Sequence, residues 1–593
     1  MLRTKTLGEL RLADVGSTVT LAGWVHTRRE HGSVMFIDLR DRYGITQIVA
    51  HANEQSAAHA ALKDARNEWV LQVKGEVRAR KEGTKNPKLG TGDVEVAATE
   101  VTVLNESKTP PFYVNDETPV EETLRWKYRY VDLRRERSKE LMRLRHEVTN
   151  FIRNFFVERG YWEIETTMLI RSDPTGARDF VVPSRYFPGK FWALPQSPQQ
   201  LKQILMVGGI DKYVQIARCF RDEDPRADRI YELTQLDVEM SFAEPKDVME
   251  ILEACYTALF EKFAKKPILK QPWPRFTYEE AMRRFGSDRP DTRFGMEVFD
   301  LADAFRKTTF NAFKEVLASG GAIRGIRVEG KADMSRKDID AETAVAKTRG
   351  AKGLVSLAFA GSEVRSPVAK FFTDEELAQV RSLSGARDGD LVLVVADADY
   401  RVASRAIGEV RRHLGTELGL VDASKHHMMW IHPFPMFERE LDGRWTFSHN
   451  PFAGPLDEAN AKLLFEGDPA RPMSSQYDLV VDGNELGGGS IRIHNRAMQE
   501  FVFELLGIPK ADAAVRFGAL LDALEYGAPP EGGIATGMDR TVMILAGLKN
   551  ARETSAFPKT QTGYDPLLDA PATLAEEQLK DLGLRVIAPP KST

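Results

Sequence analysis

Apolar and polar positions alternate through five short runs in the first hundred residues. The runs are "TVTLAGWVHTRRE", "VMFIDLRD", "ITQIVA", "EWVLQVKGEVRAR" and "DVEVAATEVTVL". A period of two predicts half-buried strands, and the turn-forming residues between the runs keep them separate. Five such strands in so short a length suit a small closed barrel. The proline-rich "ESKTPPFYVNDETPVEE" fits neither a helix nor a central strand, so a boundary is expected near residue 110. From 138 the period becomes helical, with Leu141, Leu144, Val148, Phe151, Ile152 and Phe155 on one stripe. Strand-like and helical segments then alternate to about 288. Residues 289–420 keep their own rhythm, with "FNAFKEVLAS" and "RVASRAIGEVRRHLG" as helices and "AIRGIRV" and "DLVLVVAD" as strands. They read as an inserted α+β domain. Strand-like patterning resumes at "HMMWIHPFPMF" and runs to about 560, leaving 561–593 as a C-terminal extension.

Composition changes this picture little. The chain has 593 residues, 42% hydrophobic and 28% charged, with a formal net charge of −5. Such a length accommodates roughly three to four domains. Only Cys219 and Cys255 occur, which argues against a disulfide framework or a cysteine zinc site. No apolar stretch approaches a membrane span and the start lacks a signal-like core, so a soluble, cytoplasmic protein is expected. The mildly acidic total leaves room for nucleic acid, because "RWKYRYVDLRRERSKELMRLR" (125–145) is locally basic. A solvated basic helix explains that stretch equally well.

Five stretches carry candidate chemistry. In "ELTQLDVEMSF", Thr234, Leu236, Val238, Met240 and Phe242 fall on one face of a strand, and Gln235, Asp237, Glu239 and Ser241 on the other. Two carboxylates and an amide in register call for partners: a solvated sheet face, or a cationic group of a substrate. In "GNELGGGSIRIHN" three glycines permit close approach of a ligand or a backbone, or simply make a tight turn. Glu485 precedes them, and with Asp478 it suits a hard divalent ion shared with phosphates. "EGGIATGMDRTVMILAG" feeds a glycine-rich turn into a helix with Arg540 in its first turn, a place that favours phosphate. "LPQSPQQLKQILM" presents Gln199 and Lys202 at the start of a helix, and "FSHNPF" places His449 in a turn, where a lone histidine is usually just solvated.

Together these stretches resemble the class II aminoacyl-tRNA synthetases, and within them the bacterial-type aspartyl-tRNA synthetases. "GWVHTRREHGSVMFIDLRDRYGITQIV", "RYVDLRR", "GARDFVVPSR", "LPQSPQQLKQ", "CFRDEDPRADR", "ELGGGSIRIHN" and "GMDR" occur in the family's order, and the likeness covers nearly the whole chain. It implies an α+β multidomain protein. An OB-fold barrel that grips the anticodon (1–108) and a hinge (109–140) would precede a catalytic antiparallel sheet flanked by helices (141–288 and 421–560). The inserted α+β domain (289–420) would interrupt that sheet. The implied reaction joins L-aspartate to tRNA-Asp through an aspartyl-adenylate made from ATP.

The resemblance also assigns roles. Arg221 would bridge the α-phosphate and the substrate carboxylate. Glu223 would meet the adenine end, Arg540 the γ-phosphate, and Glu485 with Asp478 would hold Mg2+. Asp222, Gly537, Met538 and Asp539 complete the ATP-binding set. Lys202 and Arg492 would bind the aspartate side chain, and asparagine would leave both cations unneutralised. Gln199 and Asp237 would surround the ammonium, and His449 would make a further substrate contact. Some residues depart from the family pattern. Thr167 replaces a proline at the dimer interface, Thr175 replaces a loop glutamate that reaches the substrate, and Leu233 replaces a phenylalanine that stacks on adenine. Ile230 and Tyr231 stand for the Gln-Pro before it, although the Tyr231 ring could serve in its place.

The anticodon positions map to Arg29, Phe36 and Gln47, with Phe36 stacking a base unless it belongs to the barrel core. The aspartate and asparagine anticodons differ at their last base, C against U, which exchanges a donor for an acceptor. His31 can donate or accept, and Gly83 is small, so neither enforces one base. That pair resembles the non-discriminating branch, which charges both tRNA-Asp and tRNA-Asn and leaves an amidotransferase to finish Asn-tRNA. A homodimer is implied by family. The alternatives are an enzyme restricted to tRNA-Asp, an asparaginyl or lysyl relative, and a retired RNA-binding paralogue.

Overall fold

The alternating runs of the N-terminal region close into a five-stranded barrel, seen in a computed structural model that describes residues 2–172, 177–223, 230–361, 363–440 and 443–587. Its strands are β1 (Thr18–His31), β2 (Val34–Arg40), β3 (Ile45–His51), β4 (Val70–Ala79) and β5 (Val94–Asn105). They follow the order β1-β2-β3-β5-β4, and the parallel pairing of β3 with β5 completes the ring. Inward positions such as Leu21, Val25, Ile37, Leu39, Ile48, Leu71, Val73 and Val96 form one buried core. Burying one Leu or Ile side chain contributes about 1.5–3 kcal/mol, so the barrel rests on this single apolar face. A helix, α1 (Ser56–Asp64), was not foreseen; it buries Ala58 and Leu62 against the same core.

The chain divides into two units, 1–144 with 554–573 and 145–553 with 574–593. The first unit therefore takes in part of what read as the second catalytic part and the C-terminal extension. Arg129 secures that segment by donating to the carbonyls of Ala556 (2.9 Å) and Ser555 (3.0 Å). The expected boundary at 140 falls inside one continuous helix, Glu136–Val157.

The second unit is built on an eight-stranded sheet. Its order is Arg275–Phe276, Met428–Ile431, Tyr477–Val481, Asn484–Ile491, Glu531–Gly537, Glu232–Ser241, Lys212–Phe220 and Trp162–Glu163. The six inner strands run antiparallel, and the two short outer ones pair parallel. The inserted domain carries its own five-stranded sheet, ordered Phe299–Asp300, Ala322–Val328, Leu391–Asp397, Val355–Ala360 and Glu363–Arg365. One core joins this sheet to the helix Tyr400–Glu417 through Ile326, Leu393, Ile407 and Val410. A second joins Phe305, Phe313, Phe359 and Phe372. No helix among the described residues is long and apolar enough to cross a membrane.

Candidate active site

The Glu232–Ser241 strand lies between two neighbours, Lys212–Phe220 and Glu531–Gly537, and both of its faces are covered. A solvated polar face is therefore ruled out: Asp237 and Glu239 are both 0% exposed. The expected alternation also stops one residue early. Phe242 leaves the strand with φ of 56° and is exposed, so it does not share the apolar face.

The partners that the buried carboxylates require come from elsewhere in the chain. Lys202, in the helix Gln199–Val207, reaches Asp237 at 2.9 Å and Glu239 at 3.1 Å. Arg492 meets Glu239 at 2.8 Å through Nε and donates to Ser490 at 2.9 Å. Two cations thus balance two anions beneath the sheet surface. Burial pushes the Asp237 carboxyl up, against the pull of Lys202. Burial acts on Glu239 in the same sense, but Arg492 and Lys202 outweigh it and hold that carboxyl below its usual range. The Oδ2 atom of Asp237 has no hydrogen-bond partner among the described residues. Glu531, also 0% exposed, was missed in the sequence because "PPEGG" reads as a loop. Burial, then the nearby Glu239 charge, drives its carboxyl well above the ordinary value.

A cavity of about 430 Å3 opens beside this network. Arg221, Glu223, Gln199, His449, Glu485, Gly537, Asp539 and Arg540 line it. Arg221 donates weakly to the Gln196 carbonyl (3.4 Å), and Arg540 donates to the Glu485 carbonyl. Asp539 accepts from Arg145 (2.6 Å) and from the Thr234 amide (2.7 Å), which pins the start of the helix Met538–Ala546 to the central strand. Met538 is buried, and neither it nor Asp222 lines the cavity. Ile230 and Leu233 do line it, whereas Tyr231 packs edge-on against Phe180 at 5.8 Å and is not part of the lining. Where Ile230 and Leu233 line it, the cavity wall is aliphatic. Thr175 and residues 224–229 lie outside the described residues.

The three glycines sit in the Asn484–Ile491 strand and make no tight turn. A Cβ at Gly487 would lie 2.3 Å from the Ala535 carbonyl, and one at Gly489 would lie 2.1 Å from the Gly533 carbonyl. At Gly488 it would meet the His449 ring (2.5 Å) and Asp478 Oδ1 (2.7 Å). Close backbone approach explains two of them, and the His449 ring and Asp478 carboxylate packed over Gly488 explain the third. His449 is no solvated loop residue, since burial and then Arg492 and Lys202 push its imidazole down to about 3. It is neutral at any working pH. Asp478 is buried, and its carboxyl is pushed well up by burial and then by Glu485. Two carboxylates that repel each other, with Glu485 lining the cavity, fit a hard divalent cation. Among the described residues no set of three or more His, Cys, Asp or Glu is placed to hold a metal.

The barrel brings its expected residues onto one side. Arg29 stands across from Phe36 in the β1–β2 register. It reaches Asp38 at 3.2 Å and Gln47 at 3.3 Å. Gln47 donates to Glu95 at 2.8 Å. Met35 and Ile37 are in the core, so Phe36 faces outward and is half-buried, with His31 edge-on at 6.2 Å. Gly83 lies in the β4–β5 loop with φ of 85°, a conformation that glycine adopts without strain.

Residues 121–561 match the family model described as tRNA synthetases class II (D, K and N), and 19–104 match an OB-fold nucleic acid binding domain. The chain belongs to the class II tRNA synthetases. The synthetase is 48% identical over 590 residues to an aspartate–tRNA(Asp/Asn) ligase of Rubrobacter xylanophilus, covering 99% of this chain and 98% of that one. It is 48% identical over 591 residues to an aspartate–tRNA ligase of Geobacillus kaustophilus, covering 99% and 100%. Among solved structures, it shares its fold with asparaginyl-tRNA synthetase from Pyrococcus horikoshii complexed with asparaginyl-adenylate. That likeness has a TM-score of 0.57 at 17% identity, and covers 94% of this chain and 99% of that one. The aspartyl-tRNA synthetase of Entamoeba histolytica gives a TM-score of 0.56 at 16% identity, covering 94% and 91%.

Proposed function

We propose that the synthetase is an aspartate–tRNA ligase that activates L-aspartate with ATP and transfers it to tRNA-Asp and tRNA-Asn in the cytoplasm. The buried Lys202–Asp237–Glu239–Arg492 set beside a cavity with two arginines carries this reading. Lys202 and Arg492 are already neutralised by Asp237 and Glu239, so asparagine would not leave them bare as the sequence suggested. Their remaining N–H donors would instead meet a side-chain carboxylate, which asparagine lacks. Asp237 Oδ2 is left to accept from the substrate ammonium. Gln199 lines the cavity and gives its amide N–H to Gln203 at 3.1 Å, and its carbonyl oxygen would serve the same purpose.

In the first step the aspartate α-carboxylate forms a bond to the α-phosphorus of ATP, and pyrophosphate leaves with the electron pair of the broken P–O bond. Charge stays on phosphate oxygens, so positioned cations do the work and no protein nucleophile is needed. Arg221 holds the α-phosphate against the carboxylate, and Arg540 holds the γ-phosphate. The neutral His449 ring packs against the glycine strand and adds no charge to the aspartate site. Asp478 and Glu485 would hold Mg2+, which when bound draws charge from the phosphate oxygens. A hydroxyl of the tRNA 3′-terminal adenosine then bonds to the aspartyl carbonyl carbon and loses its proton. The bond to the phosphate oxygen breaks, and AMP leaves with its electron pair.

Arg29, Gln47 and the outward Phe36 would bind the anticodon, and the His31 and Gly83 positions would tolerate both C and U at its last base. Aminoacylation of tRNA-Asn is expected within a hundredfold of the tRNA-Asp efficiency; a lower ratio would restrict the enzyme to tRNA-Asp. The Asp-tRNA-Asn so made requires an amidotransferase to consume it. A homodimer belongs to the same proposal. Trp162 on the sheet edge, with Tyr186, Phe187, Phe191 and Trp192 around the Val181–Pro183 and Phe191–Ala193 hairpin, is exposed in the single chain. Large exposed apolar residues call for a covering surface, here a second copy. Sedimentation equilibrium should give twice 66.6 kDa, and a monomer at micromolar concentration would contradict it.

A further inference from the structure

The loop 286–291 joins the helix Tyr278–Phe285 of the catalytic sheet to the inserted domain. Both of its ends are clamped. Gly286 closes the helix with φ of 65°, and a Cβ on it would lie 2.1 Å from the Ser404 carbonyl and 2.8 Å from Gly408 Cα. A Cβ on Gly408 would in turn lie 2.4 Å from the Gly286 carbonyl. The inserted-domain helix Tyr400–Glu417 therefore rests backbone to backbone on the start of the loop. At the other end Arg411, 2% exposed, donates to the carbonyls of Asp291 (3.0 Å), Gly295 (2.9 Å) and Met296 (2.9 Å). Asp291 also binds Arg293 at 2.7 Å.

Arg289 stands on this fixed loop and lines the ATP cavity together with Arg221, Glu485 and Arg540. It also lines the adjoining cleft of about 530 Å3, and Glu485 is shared between the two spaces. Its backbone N–H meets Ser287 (3.1 Å), but its guanidinium makes no hydrogen bond or ion pair with any described residue. Its charge nonetheless acts on Asp478 in the sense that favours the carboxylate. The backbone beneath Arg289 is fixed while no described residue engages its guanidinium, which is free to meet an anion, and its fork geometry suits phosphate.

We propose that Arg289 is a further substrate-contacting residue of the activation step, binding the β,γ-diphosphate that leaves as pyrophosphate, and that the inserted domain positions it through the Gly286–Gly408 contact. This rests on the cavity being the ATP site. As aspartate oxygen bonds to the α-phosphorus, the bond to the diphosphate oxygen breaks and that oxygen keeps the electron pair. Arg289 would meet the charge gained there, on the Glu485 side of the cavity. The inserted domain thereby acquires a task in ATP chemistry.

The test is ATP–pyrophosphate exchange on the full chain with Arg289→Ala, Arg289→Lys and Gly408→Val, varying ATP, pyrophosphate and aspartate separately. Losing a charge-assisted bond should raise KM for ATP and for pyrophosphate about tenfold or more in Arg289→Ala. KM for aspartate should stay within about twofold, on the same reasoning that its ligands are untouched. Arg289→Lys should recover part of the loss, and Gly408→Val should reproduce the ATP-selective pattern. Arg289 is exposed, so its variants should fold even if Gly408→Val does not. Unchanged ATP and pyrophosphate constants in Arg289→Ala would overturn the proposal. So would an equal rise for aspartate, or normal exchange with weakened tRNA charging, which would assign the residue to tRNA phosphate. Absence of aspartate-dependent exchange in the unaltered chain would instead overturn the proposed function itself.

Discussion

Arg221→Ala is expected to lower aspartate-dependent ATP–pyrophosphate exchange by about a thousandfold while leaving the protein folded. Arg221 lines the cavity, and its side chain makes a weak hydrogen bond to the Gln196 carbonyl at 3.4 Å. Its removal deprives the fold of little, so Tm should stay within a few degrees. The reacting groups lose a cation that must face both the α-phosphate and the attacking carboxylate. Because that cation is needed where charge shifts in the transition state, the loss should fall mainly on kcat. Exchange within tenfold of the parent, in a folded variant, would remove Arg221 from the step.

Lys202→Met should damage binding and stability together. Lys202 neutralises both Asp237 and Glu239 from a side-chain position 1% exposed. Taking it away leaves two carboxylates buried against Arg492 alone, and breaking a buried pair in this way costs about 3–5 kcal/mol. Aspartate kcat/KM should fall by about a thousandfold, because the remaining buried negative charge repels the incoming carboxylate. The penalty should depend on pH. Burial already raises Asp237 with Lys202 present, and its removal raises it further. A carboxyl whose folded value lies above its unfolded one holds more protons when folded, so stability declines as pH rises from the ordinary carboxylate range through the raised value. The deficit relative to the parent should therefore be larger at pH 8 than at pH 5, by urea titration. A deficit that grows on acidification would contradict the charge assignment.

Some of this was legible in the chain, for physical reasons. The barrel buries one face per strand, so period-two alternation in "TVTLAGWVHT" and "VMFIDLR" marks it directly. Helix α1 escaped notice because "SAAHAALKD" is short and buries only Ala58 and Leu62. The Glu232–Ser241 strand is covered on both faces, and alternation there says nothing about which face is wet. Its acidic residues find their partners 35 and 253 positions away, across a strand order that no local pattern encodes. Family resemblance placed Lys202 and Arg492 at the aspartate side chain without showing that Asp237 and Glu239 already hold them. Glu531 and Arg289 lie in "PPEGG" and "GSDRPD", where turn residues conceal one buried acid and one arginine that no described residue pairs.

Aspartate-dependent ATP–pyrophosphate exchange by the purified chain tests the central claim most directly. Exchange with aspartate at least about a hundredfold above that with asparagine or lysine is the predicted result, because only aspartate offers a carboxylate to Lys202 and Arg492. Equal or greater exchange with asparagine or lysine would contradict the account, as would no exchange from a chain that still binds tRNA.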